Sequence, residues 1–410
     1  MRNSFLVIVA GTFVALTSCG QSTPETVSAS AKSGGITPVE TKEPNSAYKP
    51  AFGGQTRVAG IKSATNYEGR VVTEALKSPW GITSLPDGRL LITEREGTMR
   101  IVTSAGQVGD PIAGIPKVNP TGQGGLLGIR VDPAFETNRM VYWVFSEPLP
   151  EGNLTSVAKG KLSADEKKIE GATVIYRATP AYKGNLHYGG RILIDKDGNL
   201  LVSTGERSDR VTRPQAQSLN SGLGKVIRIT KEGKPAPGNP FAGQAGARPE
   251  LYSYGHRNVQ SLAIHPVTND LWEAEFGPRG GDELNHIKPG KNYGWPTITY
   301  GIEYGGEKVG EGIQQKAGLE QPVYYWDPVV SPSGMTFYTS PNIPEWKNNL
   351  FISSLSGMHI VRLVIENDKV VGEERLLGGE FQRFRDITLG KDGALYAVTD
   401  QGRLYRVDKK

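Results

Sequence analysis

The chain has 410 residues, a formal net charge of +5 and a single cysteine. Its Lys and Arg residues are scattered, without a basic run or a nucleic-acid-binding module, so no DNA or RNA partner is expected. The single cysteine, Cys19, excludes an intramolecular disulfide. The folded part of the chain must therefore be stabilised by packing.

The N-terminus has the features of a lipoprotein export signal. Arg2 precedes an apolar run over residues 5–16, which is too short to span roughly 30 Å of hydrocarbon. Leu-Thr-Ser directly before Cys19 matches a bacterial lipobox, in which the cysteine is acylated. We predict a signal peptide over residues 1–18, lipidation at Cys19 and a periplasm-facing, lipid-anchored protein, with Gly20 favouring the outer membrane. An ordinary signal peptide with an incidental cysteine is the alternative.

The next segment, residues 19–65, consists mainly of Ser, Thr, Pro, Gly, Lys and Glu. Such a composition buries too little apolar surface to offset the chain entropy of folding, so it predicts a flexible tether. The remaining residues, 66–410, are expected to form the folded domain.

Short β-rich segments recur along this domain, and helical periodicity is nearly absent. Each copy has an apolar strand, a turn rich in Asp, Asn and Gly, and a second strand of alternating β-branched residues. Copies spaced about 45 to 75 residues apart are typical of propeller blades that pack only against their neighbours. The sequence predicts an all-β fold, a six-bladed β-propeller of four-stranded antiparallel blades. The six copies cover residues 84–102, 129–146, 193–229, 262–277, 335–355 and 386–407.

Candidate chemistry concentrates in residues 255–296, which contain GHRN, GPRGGDELNHI and GKNYGWP without a secondary-structure period. The arginine, the carboxylates and the turn carbonyls suit an anionic cofactor and a hard metal ion. Of the five histidines in the chain, His187 lies among glycines that allow a ligand to approach, and His256 adjoins Arg257. A lone histidine is commonly structural, but these two contexts make both residues candidates.

Seven motifs occur in order between residues 70 and 408: GQGGLLGIRVDP (122–133), HYGGR (187–191), LGKVIRI (223–229), YGHRNVQSLAIHP (254–266), EFGPRGGDELN (275–285), GKNYGWP (290–296) and RFRD (383–386). Together they resemble the soluble sugar dehydrogenases that use pyrroloquinoline quinone (PQQ), the glucose/sorbosone dehydrogenase family. The resemblance is closer to the aldose sugar dehydrogenase branch. It implies a catalytic propeller domain over residues 66–410 that binds PQQ and Ca²⁺.

The resemblance assigns roles residue by residue. His187 would be the general base for the C1 hydroxyl of the sugar, which suits a neutral imidazole near neutral pH. Arg257 would stabilise negative charge developing on the quinone oxygen, and Asn258 would bind the cofactor. The carbonyls of Gly277 and Pro278 would bind the Ca²⁺ that polarises the quinone.

Six further positions complete the implied site. Arg383 and Arg385 alternate as strand residues do and would clamp cofactor carboxylates, although they equally suit a solvated ion-paired face. Gln123 would contact sugar. Trp326, beside Tyr324 and Tyr325, would form a flat cofactor wall or else pack in the core. The last two, Glu283 and Tyr293, match a second calcium site, for which the alternative is a turn capped by carboxylates.

Two positions depart from the family pattern. Leu186 stands where a polar residue often precedes the catalytic histidine, so a candidate for orienting the imidazole is missing. Ser356 stands where the glucose enzymes have a lysine on a cofactor carboxylate, and Arg279 is a possible substitute cation.

These features predict PQQ-dependent oxidation of aldose sugars at C1 to lactones, with electrons passed to a quinone or cytochrome acceptor. No strand-GxGxxG-helix unit supports nicotinamide binding. Two alternatives stay open. One is a metal-dependent propeller lactonase, which needs a metal held by carboxylate and Asn side chains at the channel centre. The other is a cofactor-free binding or scaffold propeller.

Overall fold

Six antiparallel sheets, formed one after another along the chain, build the protein. The computed structural model describes residues 37–410. The predicted signal peptide and Cys19 lie outside the described residues. Within residues 37–410, no helix is both long enough and apolar enough to span a bilayer.

The strands are short, and the only α-helix among the described residues, α1, has four residues. In chain order, the elements are β1 (Tyr67–Thr73), β2 (Pro79–Ser84), β3 (Leu90–Glu94), β4 (Thr98–Val102), β5 (Leu126–Val131), α1 (Phe135–Asn138), β6 (Met140–Leu149), β7 (Gly152–Leu162), β8 (Ile169–Arg177), β9 (Ile192–Ile194), β10 (Leu200–Ser203), β11 (Lys225–Ile229), β12 (Leu251–Tyr254), β13 (Val259–Ile264), β14 (Leu271–Glu275), β15 (Asp282–Ile287), β16 (Tyr324–Trp326), β17 (Pro332–Phe337), β18 (Leu350–Ser354), β19 (Ile360–Glu366), β20 (Lys369–Leu376), β21 (Phe384–Leu389), β22 (Leu395–Thr399) and β23 (Leu404–Lys409).

The sheets form a closed ring. One edge strand of each sheet, β2, β5, β9, β13, β17 or β21, contacts the corresponding strand of the next sheet, and β21 contacts β2. These are the innermost strands, so the ring is a six-bladed β-propeller and the predicted fold class is confirmed. The β2–β4 blade has three strands, and isolated bridges at Val108 and Ile112 continue it beyond β4.

Each of the six sequence repeats contains the turn between the first two strands of a blade, counted from the axis, and the copies at 84–102, 193–229 and 386–407 extend into the third strand. The tightest copies turn at Gly88, Gly198 and Gly393, each with a φ between 81° and 88°. Such left-handed backbone is accessible to glycine without a steric penalty, so Asp-Gly fixes the turn and thereby the strand register.

The last blade is closed by both ends of the domain. β1 pairs antiparallel with β23, from Tyr67 opposite Lys409 to Thr73 opposite Leu404. Apolar side chains then fill the spaces between neighbouring blades; for example, Trp272 and Trp326 of one blade pack in one cluster with Phe337 and Leu350 of the next. Because each blade stabilises its neighbours, the closing strand stabilises the whole ring.

Residues 37–65 do not behave as the predicted tether; they lie along the outside of the blades, and we call them the N-terminal strap. Gln55 is fully buried, and its backbone carbonyl accepts a hydrogen bond from the Tyr325 N–H at 2.8 Å. Glu40 pairs with Arg375 at 2.9 Å. The composition argument is wrong for this part because its polar groups form specific hydrogen bonds and Val58 packs into an apolar cluster between two blades. The rest of the predicted tether lies outside the described residues.

Candidate active site

A polar pocket of about 380 Å³ opens where the innermost strands begin. In an antiparallel blade, the start of the first strand and the end of the second lie at the same edge, so six blades deliver side chains to one face. The lining includes Trp80, Arg95, Gln123, His187, Gln260, Phe276, Tyr304, Ser331, Arg383, Arg385 and Asp400.

His187 and Glu206 form a buried pair at the pocket wall. Nδ1 of His187 lies 2.6 Å from Oε1 of Glu206. A carboxylate only accepts hydrogen bonds, so this contact assigns the ring hydrogen to Nδ1 and leaves the lone pair on Nε2. Glu206 therefore orients the imidazole of His187, a role for which Leu186 offers no polar group. The side chain of Leu186 is exposed.

The environment keeps this imidazole neutral. Burial lowers the pKa of His187 to about 4, the nearby Arg257 adds to the effect, and Glu206 only partly opposes it. A neutral imidazole with its lone pair on Nε2 is a proton acceptor over the whole physiological pH range.

The backbone that carries His187 is held in a left-handed conformation, with a φ of 48°. Two side chains fix it. Gln123 accepts a hydrogen bond from the His187 N–H through Oε1 at 2.8 Å. Arg207 donates to the carbonyls of Leu186 and Gly184 at 3.0 and 2.5 Å. The predicted sugar contact, Gln123, therefore also positions the base.

Arg257 and Asn258 enter the same region from the loop before β13. The guanidinium of Arg257 donates to the carbonyls of Phe276 and Gly277 at 3.1 and 2.7 Å and lies 3.4 Å from the hydroxyl of Tyr304. Asn258 accepts the Gly189 N–H at 3.0 Å. Arg257 Nε and Asn258 Nδ2 are buried without a hydrogen-bond partner in residues 37–410. Unpaired buried donors are costly, so they favour an acceptor ligand.

Arg383 and Arg385 both line the pocket, as predicted, and both also bind Asp400. Nε of Arg383 lies 2.9 Å from Asp400 Oδ2, and Nε of Arg385 lies 2.8 Å from Oδ1. The two arginines therefore form an ion-paired face and also line the pocket, so this face is compatible with the predicted clamp for cofactor carboxylates. A third cation, Arg95, lies beside them and donates to the Gly122 carbonyl at 2.7 Å.

The pocket fits PQQ by charge and by hydrogen-bonding capacity. Its lining carries three arginines, Arg95, Arg383 and Arg385, and one carboxylate, Asp400. The excess positive charge suits an anion with several carboxylates, for which arginine is the preferred partner. The orphaned donors of Arg257 and Asn258 add further acceptor-binding capacity. Arg383, Arg385, Arg257 and Asn258 are the residues that would hold the cofactor.

The predicted calcium ligands Glu283 and Tyr293 line one small cavity of about 10 Å³, together with Glu275, Gly277 and Thr299. This volume holds one water-sized particle. Glu275 and Glu283 face each other across β14 and β15. Oxygen-rich lining of this kind suits Ca²⁺.

Within the described part of the chain, Arg257 is the one cation that lines this cavity beside the carboxylates of Glu275 and Glu283. Burial, reinforced by Glu275, raises the pKa of Glu273 and of Glu283 well above the usual range. The possible metal-ligand atoms of His256, Glu273 and Glu275 all lie within 4.8 Å of one another. Buried carboxylates are retained in proteins when they are paired or bind a metal. The residues present thus fit a bound cation.

The first predicted calcium position is more crowded. The Gly277 carbonyl accepts a hydrogen bond from Arg257, while its N–H donates to Asp282 Oδ1 at 2.8 Å. Asp282 also accepts the N–H groups of Val330 and Ser331. It thereby ties the Gly277–Pro278 turn to the pocket wall, and burial raises its pKa to about 7.

Trp326 is the predicted site residue that the structure places elsewhere. It lies on β16, the outermost strand of its blade, 97% buried, and packs at 5.1 Å against Tyr324 inside the apolar cluster between two blades. The core alternative is correct because the outer strand is farthest from the axial pocket. The aromatic residues that line the pocket are Trp80, Phe276 and Tyr304.

The second sequence departure is not compensated by Arg279. That side chain donates from Nε to Asn45 Oδ1 of the strap at 3.2 Å and does not line the pocket. Ser356 hydrogen-bonds Ser331 at 2.7 Å. The third positive charge of the pocket lining, beside those of Arg383 and Arg385, belongs to Arg95.

Sequence reasoning missed Glu206, Arg95 and Tyr304. Glu206 and Arg95 follow second strands of blades, in STGER and ITERE, so blade position was the available signal. Tyr304 belongs to a hairpin in which Ile302 pairs with Lys308. Its position beside Arg257 depends on tertiary folding, so no local sequence pattern predicts it.

The chain belongs to the Glucose / Sorbosone dehydrogenase family, whose profile matches residues 76–406. This membership confirms the resemblance drawn from the seven motifs. The family match begins after the strap and covers every predicted site residue except Cys19.

Individual relatives agree with this assignment. The chain is 40% identical over 345 residues to Aldose sugar dehydrogenase YliI of Escherichia coli (strain K12), covering 83% of this chain and 92% of the relative. The solved apo-form of the soluble aldose sugar dehydrogenase from Escherichia coli superimposes with a TM-score of 0.81 at 38% identity, covering 84% of this chain and all of that one. The PQQ-bound aldose sugar dehydrogenase from Streptomyces coelicolor gives a TM-score of 0.70 at 32% identity, covering 85% and 100%.

Proposed function

We propose that this protein oxidises aldose sugars at C1 to lactones with PQQ as cofactor and Ca²⁺ as metal. The observation that carries the proposal is the neutral His187, oriented by Glu206, at the wall of a pocket that also presents Arg95, Arg383 and Arg385. The PQQ-bound relative from Streptomyces coelicolor supports the cofactor.

PQQ, when bound, supplies the two-electron acceptor for the hydrogen that leaves C1. The chain supplies the proton chemistry and the electrostatics. His187 Nε2 takes the proton of the C1 hydroxyl, which allows the C–H bond to break, and Glu206 stabilises the imidazolium that forms. Arg257 places a fixed positive charge where negative charge develops, in a site from which burial excludes water.

Binding and orientation fall to the arginines and to Gln123. Arg383 and Arg385, which are ion-paired with Asp400, would hold carboxylates of the cofactor. The Nε2 amide of Gln123 is the donor for a sugar hydroxyl, because its Oε1 is already committed to the His187 N–H. The carbonyls of Gly277 and Pro278 would hold one Ca²⁺, which would polarise the quinone, and Glu283 and Tyr293 would hold a second.

The cellular setting follows the sequence-based expectation. Cys19 is the proposed lipid attachment site, and the enzyme faces the periplasm from the outer membrane. Electrons leave to a quinone or cytochrome acceptor.

The two alternatives lack a matching feature in residues 37–410. A lactonase requires a metal held by carboxylates in the channel, but the one carboxylate lining the pocket, Asp400, is paired with two arginines. A cofactor-free scaffold has no use for a neutral, oriented His187 or for the unpaired donors of Arg257 and Asn258.

The test is reconstitution. Purified apoprotein is mixed with PQQ, Ca²⁺ or both, and dye reduction is followed with glucose, xylose, galactose and maltose. We expect sugar-dependent reduction only when both are present, and loss of reduction in His187→Ala. Turnover without PQQ, or absence of turnover with every sugar despite bound PQQ, would refute the proposal.

A further inference from the structure

The N-terminal strap reaches the loop that carries the predicted calcium carbonyls. The strap lies before the family match, which begins at residue 76. It is therefore a feature that family membership does not explain.

The strongest strap contact is with the Asp327 carboxylate. Oδ1 accepts the N–H and the side-chain Nδ2 of Asn45, both at 2.8 Å. Oδ2 accepts the N–H and the hydroxyl of Ser46, both at 3.0 Å. Asp327 is buried, and all its carboxylate hydrogen bonds within residues 37–410 come from these two strap residues. A buried carboxylate without these donors would be strongly disfavoured.

The same carboxylate supports the 277–281 loop. A Cβ atom at Gly280 would lie only 2.8 Å from Asp327 Oδ1, so the backbone of the loop rests directly on it. Gly281 donates its N–H to the Trp326 carbonyl at 2.9 Å, one residue before Asp327. Arg279 donates from Nε to Asn45 Oδ1. The strap thus contacts the loop both directly and through Asp327.

We propose that the strap is a positioning element for the metal and cofactor loop: Asn45 and Ser46 fix Asp327, and Asp327 fixes residues 277–281. The functional consequence rests on the proposed role of Gly277 and Pro278 in binding Ca²⁺. Loss of the two side-chain donors leaves the buried carboxylate with only the backbone N–H groups of residues 45 and 46, so the loop above it becomes more mobile and admits water. The two calcium-facing carbonyls then lose their fixed separation, and affinity for the metal and cofactor falls.

Two variants form a matched pair. Ser46→Ala and Thr65→Ala each remove one strap hydroxyl that donates to a carboxylate, at Asp327 and at Glu345 respectively. Thr65 contacts the β17–β20 blade away from the loop. Asn45→Ala combined with Ser46→Ala removes both side-chain donors to Asp327.

Two readouts separate this proposal from the proposed function. Amide hydrogen exchange of residues 277–282 in apoprotein reports the loop without any cofactor, and titration with PQQ in excess Ca²⁺ gives the dissociation constant. We expect the double variant to exchange faster in this loop and to bind PQQ about tenfold more weakly, Ser46→Ala to show part of both effects, and Thr65→Ala to match wild type.

Unchanged exchange in residues 277–282 of the double variant would overturn the proposal. So would equal acceleration throughout the protein in both the double variant and Thr65→Ala, because the strap would then be a general stabiliser. If wild type binds no PQQ, the proposed function fails, while the exchange comparison still decides whether the strap positions the loop.

Discussion

Burial has opposite consequences at the pocket and at the small cavity. On the base side, in the pocket, it lowers the pKa of His187 to about 4, which leaves a neutral base ready for use. On the carboxylate side, at the separate small cavity, it raises the pKa of Glu273 and Glu283, so a bound cation would favour their ionised forms. The base side is complete within the chain, whereas the carboxylate side offers ligand atoms for the proposed metal. Predictions for the two sides should therefore separate into catalytic effects and metal-dependent effects.

The largest effect is expected on the base side. His187→Ala should lower kcat by about 100- to 10,000-fold, because proton removal from the C1 hydroxyl loses its acceptor. PQQ affinity should change little, since the arginines that hold the cofactor are untouched. Steady-state kinetics on the reconstituted variant measure this, and a kcat near wild type would remove His187 from the reaction.

Arg257→Ala should lower kcat by about 100- to 1,000-fold and raise the sugar KM much less. Its charge acts on the transition state, so the loss appears in the chemical step. The comparison of kcat and KM with glucose and xylose tests this. A variant with a raised KM and unchanged kcat would reassign Arg257 to sugar binding.

Glu206→Gln should lower kcat by about 10- to 100-fold while PQQ binding is retained. A glutamine amide can donate to Nδ1, which permits the tautomer with hydrogen on Nε2 and so blocks proton acceptance. Glu206→Asp, which keeps the carboxylate, should recover part of the rate. Equal rates for the Gln and Asp variants would show that the carboxylate does not select the tautomer.

On the carboxylate side, Ca²⁺ should raise the thermal midpoint of the wild-type apoprotein by about 3 to 5 °C, because a ligand that binds only the folded state stabilises it. Glu283→Gln should reduce this response, since a cavity ligand loses its charge. Thermal scans with and without chelator provide the measurement. An equal calcium response in wild type and Glu283→Gln would exclude Glu283 as a ligand.

The smallest effect concerns pH. Between pH 7 and pH 5.5, protonation of His187 should change kcat/KM by less than about twofold, because His187 with a pKa of about 4 stays neutral. An imidazole at the ordinary value of 6.5 would lose about eightfold over this range. Asp282, with a pKa of about 7, also titrates in this range, so an inflection near 6.5 that persists in Asp282→Asn would contradict the environment assigned to His187.

The ring of blades was predictable because Asp-Gly turns and alternating strands are local signals that six blades repeat. Seven motifs likewise indicated His187, Arg257, Asn258, Gln123 and the two arginines of RFRD. Trp326 was misplaced, since an aromatic strand reads the same whether it faces the axis or the space between blades. The strap was missed because its order depends on partners such as Asp327, far away in sequence.

The central claim is that bound PQQ is reduced by an aldose with His187 as the base. Rapid mixing of the PQQ- and Ca²⁺-loaded protein with excess sugar, without an electron acceptor, follows that single turnover through the absorbance of the cofactor. The account predicts a sugar-dependent spectral change in wild type that slows by at least about 100-fold in His187→Ala, with PQQ bound in both. An unchanged spectrum in PQQ-loaded wild type, or equal rates in the two proteins, would contradict it.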